Sequence, residues 1–262
     1  MLVIPDSERV IYGKSPLFEV ICQVRFPTIL KIGQGEPVDF QEEIRGDYPI
    51  FSISAPQMPE ELKNTLKVAG IGIPIESSSY EFKSEDGSWK ISLTKEFIAI
   101  TTTAYRKFED FKSRFELILK IFNNVYRPSF FSRIGLRYQD LIVRSAIGLE
   151  DLEWNALISK NLAFELHDPA ISRGVKYYMK NFSFVIGEQE SLSLKHGIVE
   201  ATIGKSKEDG YLIDSDFFST KKVVSTDELF DTLSGLNRKS GRLFRWSITD
   251  RLHAAMEPTV LA

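Results

Sequence analysis

The stretch that decides the fold spans residues 89–143 and has three parts in succession. It begins with WKISLTKEFIAITTTAY (89–105), continues with RKFEDFKSRFELILKIFNNVYRP (106–128) and ends with SFFSRIGLRYQDLIV (129–143). The first and third parts are rich in β-branched and aromatic residues, whereas the middle part has apolar residues at steps of three and four. The stretch therefore predicts a strand, an amphipathic helix and a second strand.

The helix is the best-defined element of this stretch. Its apolar residues recur at helical spacing and form one stripe, with charged residues on most of the remaining surface. The stripe contains Phe108, Phe111, Phe115, Ile118 and Phe122. Pro128 ends the helix, because proline lacks the backbone N–H that the next turn needs. We expect the stripe to pack against a sheet rather than to line a ligand pocket.

A second stretch, residues 197–256, repeats this plan in weaker form. It contains the strand-like YLIDSDFF (211–218), a helix that begins with a capping box at Ser225 and Glu228, and RLFRWSITD (242–250). The last segment either extends that helix or takes the place of the second strand. The parallel predicts an α+β protein with two similar halves, residues 1–145 and 146–262. Each half is expected to be a mostly antiparallel sheet with an amphipathic helix packed on one face, and an internal duplication is a hypothesis.

Two further segments complete the outline. Residues 17–26 (LFEVICQVRF) alternate as a strand does, and residues 149–162 are predicted to form a helix. Residues 80–83 and 89–93 are two further predicted strands, and the hairpin turn between them contains Gly87, which can adopt a positive φ.

Composition bounds the class of protein. The chain has 262 residues, of which 43% are hydrophobic and 26% charged, as in an ordinary globular protein. A net charge of -3 argues against a general nucleic-acid binder. Cys22 is the only cysteine, so an internal disulfide is excluded. Pro5 and Asp6 interrupt any signal peptide, and no apolar run is long enough to span a membrane, so we expect a cytoplasmic protein.

Three motifs recur in this order in one known group. They are PLFEVICQVRFP (16–27), FFSRIGLRYQDLI (130–142) and FRWSITDRLHAAMEP (244–258). On these motifs the chain resembles a sporadically distributed prokaryotic family of uncharacterised proteins of about the same length. The resemblance covers essentially the whole chain. It implies no activity, cofactor or catalytic residue, and its patchy distribution suggests an accessory role.

Three arginines are the first candidates for a binding site. Arg25 shares a strand face with Glu19, and Arg133 shares one with Arg137, because alternate residues of a strand point the same way. If the two strands are neighbours, the guanidinium groups line one sheet face, where their N–H donors suit a phosphate or carboxylate. The alternative is a solvated face on which arginines pair with carboxylates.

Two acidic candidates complete the set. Asp214 and Asp216 in LIDSDFF point to one side of a strand, as a pair of carboxylates that holds Mg²⁺ would. Asp250 and His253 lie three residues apart in ITDRLH and share one side of a short helix, which is the start of acid–base machinery. Pairing of the aspartates with nearby lysines and a helix-capping role for Asp250 are the structural alternatives.

These observations favour a non-catalytic protein-binding or accessory module, with no cofactor. The sequence contains neither a dinucleotide-binding fingerprint nor a phosphate-binding loop. We expect a protein partner or self-association, possible dimers, no membrane contact and no nucleic acid. The alternative is an enzyme or sensor that binds a phosphorylated small molecule through Arg25, Arg133 and Arg137.

Overall fold

A computed structural model describes residues 2–54, 79–204 and 206–261 of the chain. Most of these residues belong to a mixed α+β fold, as predicted. The described strands, numbered β1 to β11 in chain order, are Val10–Tyr12, Leu17–Arg25, Ile50–Ser54, Ser79–Lys83, Trp89–Leu93, Phe97–Thr102, Arg133–Val143, Lys180–Val185, Glu190–Ile203, Ser206–Ser219 and Pro258–Val260. The described α-helices, α1 to α5, are Val38–Ile44, Phe108–Tyr126, Arg144–Ile147, Thr226–Ser247 and Asp250–Ala255.

Nine of the strands form one sheet, in the order β3-β4-β5-β6-β2-β7-β10-β9-β8. Every neighbouring pair in it is antiparallel. Because β7 pairs with β2 on one side and with β10 on the other, a single sheet crosses the expected boundary near residue 145. The antiparallel architecture is confirmed, and the similarity of the two halves stays a prediction. The short strands β1 and β11 pair separately.

The two long helices pack on the same face of this sheet. The stripe of α2 is buried as expected, with Phe115 fully inaccessible to solvent, and its ring meets Phe230 of α4 edge to face at 6.1 Å between ring centroids. On the sheet side, Phe26, the residue directly after β2, packs on Phe122 of α2, at 4.8 Å between ring centroids. The hydrophobic core therefore lies between the sheet and the α2–α4 layer.

Local signals in the sequence are confirmed at several ends of elements. The Ser225 hydroxyl accepts a hydrogen bond from the Glu228 N–H, at 3.1 Å, as a capping residue does. Arg127 ends α2 in the left-handed region with φ 49°, directly before Pro128. Gly87 adopts the expected positive φ of 70° in the β4–β5 turn.

The structure decides one open alternative and corrects one expectation. Residues 242–247 extend α4, the first of the two alternatives for this segment, so the second stretch has no strand there to match the second strand of the first stretch. The helix predicted over residues 149–162 is wrong, since the region holds turns and a 3₁₀ helix, Trp154–Ala156. Ile158 bridges Ile248 and the Ser159 N–H donates to the Ser247 carbonyl, so tertiary pairing takes the backbone groups a helix would use.

Within residues 2–54, 79–204 and 206–261, no helix is long and apolar enough to cross a membrane.

Candidate functional site

The strand register gathers most of the predicted site residues on the sheet face opposite α2 and α4. We call this the polar face and define it by Glu19, Gln23 and Arg25 of β2, Arg133, Arg137 and Gln139 of β7, and Asp214 and Asp216 of β10. The three strands are adjacent at the centre of the sheet. The arginine candidates and the aspartate candidates therefore lie side by side, on neighbouring strands.

The arginines and the aspartates of the polar face are partners of each other. Arg137 donates from Nε and Nη2 to the two carboxylate oxygens of Asp214, both at 2.6 Å. Arg133 donates to Asp216 at 2.8 Å. Asp214 is only 5% exposed, and its hydrogen bond raises the pKa of Arg137. The bidentate Arg137–Asp214 pair is of a strong and geometrically specific kind. The predicted arginine and aspartate sites are thus engaged with each other in one ion-pair ladder.

The Arg133 guanidinium is held from three sides. It donates to the Gln23 side-chain oxygen at 3.2 Å and lies over the Phe218 ring, 4.5 Å from the ring centroid. A Cβ atom on Gly135 would fall 2.4 Å from Arg133 Nη1. Glycine at 135 is what allows the arginine to lie flat across its own strand.

Arg25 and Glu19 lie outside the two close ion pairs. Arg25 is opposite Arg133 in the register but reaches Glu96 instead, at 4.0 Å with both side chains about half exposed. Glu19 joins the ladder through Gln139, whose amide can be oriented to donate to Glu19 at 2.8 Å and accept from Arg137 at 2.9 Å. In place of the predicted cluster of three arginines, the structure has two partly buried ion pairs, made by Arg133 and Arg137, and a more exposed Arg25 that belongs to neither.

Asp214 and Asp216, the residues of the metal hypothesis, lie on one face of the strand as predicted. Each of the two carboxylates has an arginine guanidinium as its partner. Among the described residues, no group of three or more His, Cys, Asp or Glu side chains is placed to hold a metal ion. A cation at this position would have to displace an arginine, so the metal site stays a prediction without further support.

Asp250 and His253 both lie on α5, which Thr249 caps by accepting a hydrogen bond from Leu252 N–H at 3.3 Å. Their side chains have different partners: Asp250 pairs with Arg245, and the His253 Nδ1 atom hydrogen-bonds the Tyr12 hydroxyl at 2.9 Å. Burial lowers the pKa of His253. The two residues therefore hold chain segments together and do not hydrogen-bond each other.

A buried polar cluster that the sequence analysis missed lies under the edge of the sheet at β8. His196 is fully buried, and its Nδ1 atom hydrogen-bonds the Tyr211 hydroxyl at 2.7 Å, which is 3.1 Å from the Tyr178 hydroxyl. Next to it, Glu165 accepts from Lys180 at 2.5 Å. Within the described chain, His196 Nε2 and Glu165 Oε1 have no hydrogen-bond partner. No motif could have signalled this cluster, because strand pairing assembles it.

Asp140 is a second buried group that was not singled out. It is 7% exposed and lies on the helix-covered side of β7, opposite Ile213. Burial, together with the charge of Asp214, raises the pKa of Asp140 to about 8. The alternation of RIGLRYQDLIV does place this residue among the core-facing positions, so a signal for its burial was present.

No protein-family model matches the chain, and no curated protein matches it significantly.

Proposed function

We propose that the protein is a non-catalytic module that binds another protein along β8, the strand at one edge of the nine-stranded sheet. The observation that carries the proposal is a concentration of exposed large apolar side chains on and before this strand. Phe182 and Val185 lie on opposite faces of the strand, Tyr177 and Met179 lie directly before it, and Phe164 and Ile171 lie earlier in the chain. Apolar patches at exposed sheet edges are typical association sites.

The outer backbone edge of β8 is engaged at Val185 by the chain's own N-terminal segment and offers further groups for pairing along the rest of the strand. The Val185 carbonyl accepts a hydrogen bond from the Leu2 N–H at 3.1 Å, so the polar groups of Val185 face away from β9. Because this direction alternates along a strand, Ser183 and Asn181 also present their N–H and C=O groups outward. Added strands are recognised through such groups, with neighbouring side chains providing specificity.

The partner that these features fit is a second copy of the chain. Antiparallel pairing centred on Ser183 would match outward-facing Asn181 with Val185 of the second copy. In this pairing the Asn181 N–H of one copy takes the place of the Leu2 N–H at the Val185 carbonyl of the other, so the N-terminal segment has to move away from the edge. The same register brings Phe182 opposite Phe184 of the second copy, and these two rings already stack within one chain at 5.6 Å between centroids. It puts no like charges directly opposite each other, so the pairing is self-complementary.

The polar face lends little support to the alternative of an arginine-lined anion site, because its two central arginines are engaged with Asp214 and Asp216. A phosphate that bound there would have to compete with a bidentate carboxylate already in place.

The test is a cysteine placed at the centre of the expected interface. Ser183→Cys should form a disulfide-linked dimer under mild oxidation, read by non-reducing electrophoresis, because the two copies meet at this residue. Ser193→Cys is the matched control, since Ser193 lies opposite Ser183 on β9, one strand further into the sheet. Native Cys22 is buried.

Sedimentation velocity completes the test without a cross-link. The wild type should dimerise with rising concentration, and Ser183→Pro should remain monomeric because proline removes the outward N–H. A wild type that is monomeric at every concentration, or equal cross-linking of the two cysteine variants, would refute pairing of β8 with a second copy.

A further inference from the structure

A cavity of about 770 Å³ lies at the end of the sheet far from β8, where three segments meet. They are the residues after α1, the β4–β5 turn, and the loop and first turns at the start of α2. Trp89, Tyr105 and Phe111 are its aromatic lining residues. Its volume is in the range of sites for small molecules.

Arg114 is the half-buried cation of this cavity. Its guanidinium lies 4.5 Å from the centroid of the Trp89 ring and 6.0 Å from that of Tyr48. It donates a hydrogen bond to a neutral group, the Tyr48 hydroxyl, at 3.4 Å. Stacking on aromatic rings fixes the plane of a guanidinium and leaves its N–H edge for a ligand. In the described part of the chain no carboxylate lies within 4.0 Å of Arg114, unlike Arg133 and Arg137.

The other charges of the lining divide into engaged and unengaged groups. Asp86 accepts hydrogen bonds from the Ser84 and Ser88 hydroxyls at 2.6 and 2.7 Å, within its own turn. Asp110 pairs with Lys107 at 3.4 Å. Two exposed acids, Asp47 and Glu85, and one exposed base, Arg106, also line the cavity, and among the described residues these three form no ion pair.

The unengaged lining charges are therefore two positive and two negative. A simple anion would meet the acids as well as the arginines, and a simple cation would meet the arginines. A ligand that carries both signs satisfies both sets. The planar fork of Arg114 suits a carboxylate, which it can bind through two parallel N–H donors, and the exposed acids suit an ammonium group.

We propose that this cavity binds a small zwitterion of the amino-acid class, with Arg114 holding the carboxylate and Asp47 or Glu85 holding the ammonium group. The aromatic residues Trp89 and Tyr105 would contact the apolar part of the ligand. This site is independent of the β8 edge, so either proposal can fail without the other.

The test is a binding screen by thermal shift, followed by isothermal titration calorimetry, with the twenty common amino acids offered singly to the full-length protein. At least one should bind. The N-acetyl and the amide derivatives of the best binder, which lack the ammonium and the carboxylate charge respectively, should each bind about tenfold more weakly or worse. A phosphate ester, ribose 5-phosphate, serves as the probe for a simple anion.

Variants locate the site. Arg114→Gln should weaken binding of the best amino acid by about tenfold or more, because it removes the bidentate donor. Lys120→Gln removes one positive charge from an exposed position further along α2 and should change nothing. Asp47→Asn is an exposed substitution that reports on the ammonium contact even if Arg114→Gln impairs folding. No binding by any amino acid, binding that survives both Arg114→Gln and Asp47→Asn, or a response to ribose 5-phosphate alone would overturn the proposal.

Discussion

Replacing Phe115 by alanine tests the packing of α2 on the sheet. The side chain is fully buried, so its removal leaves a cavity between the sheet and the helix layer. Truncation of a buried phenylalanine costs about 3–5 kcal/mol of unfolding free energy. About 0.5–1.5 kcal/mol of this would come from the edge-to-face contact with Phe230. For a chain of this size, the thermal midpoint should fall by about 6–20 °C.

Leu117→Ala is the matched control, because Leu117 lies on the same helix and is 65% exposed. Its substitution should change the midpoint little. The assay is thermal and urea-induced unfolding of both variants, with Phe230→Ala and the double variant added to isolate the ring–ring contact. If Phe115→Ala shifted the midpoint no further than Leu117→Ala, the stripe would not be part of the core, and the interpretation of α2 as a packing helix would be refuted.

Two further predictions concern charged groups in the sheet. Because the pKa of Asp140 is raised to about 8 in the folded protein, the folded state keeps a proton that the unfolded state loses near pH 4, so its contribution to stability should fall as pH rises between about 4 and 8. Urea unfolding at several pH values should show Asp140→Asn gaining on the wild type across this window, and a constant difference would contradict the assignment. Arg137→Met should cost about 3 kcal/mol because it leaves buried Asp214 without its partner. Arg25→Met, at an exposed 4.0 Å contact with Glu96, should lower the free energy of unfolding by less than about 1 kcal/mol. If urea unfolding showed the same loss of stability for Arg137→Met and Arg25→Met, the ion-pair ladder would not stabilise the protein more than an exposed contact does.

Short-range patterns predicted much of the architecture. The stripe of α2, the capping box at Ser225 and the turn at Gly87 were recognisable because each depends on residues within a few positions of one another. Alternation in LFEVICQVRF and RIGLRYQDLIV likewise predicted which side chains share a face. The alternation therefore placed Arg133 and Arg137 on the same face correctly, but it did not predict that Asp216 and Asp214 are their partners.

Strand order was beyond these patterns. Nothing local shows that β7 lies between β2 and β10, yet that arrangement puts Asp214 and Asp216 against Arg137 and Arg133 and turns two hypothetical sites into one ion-pair ladder. The predicted helix over residues 149–162 failed for a related reason. A bridge to Ile248, far along the chain, takes the place of helical hydrogen bonds.

The sequence by itself determined the α+β class, the two long amphipathic helices and the faces of the strands, because helix and strand periodicity follow from backbone geometry. The tertiary structure alone decided which polar groups are neutralised and which are not. It paired the arginines of the polar face, buried His196 beside Tyr211, and left Arg114 facing a cavity without a carboxylate partner among the described residues. The physical reason is that electrostatic partnership depends on distances of a few ångströms between residues that strand pairing and helix packing bring together from distant parts of the chain.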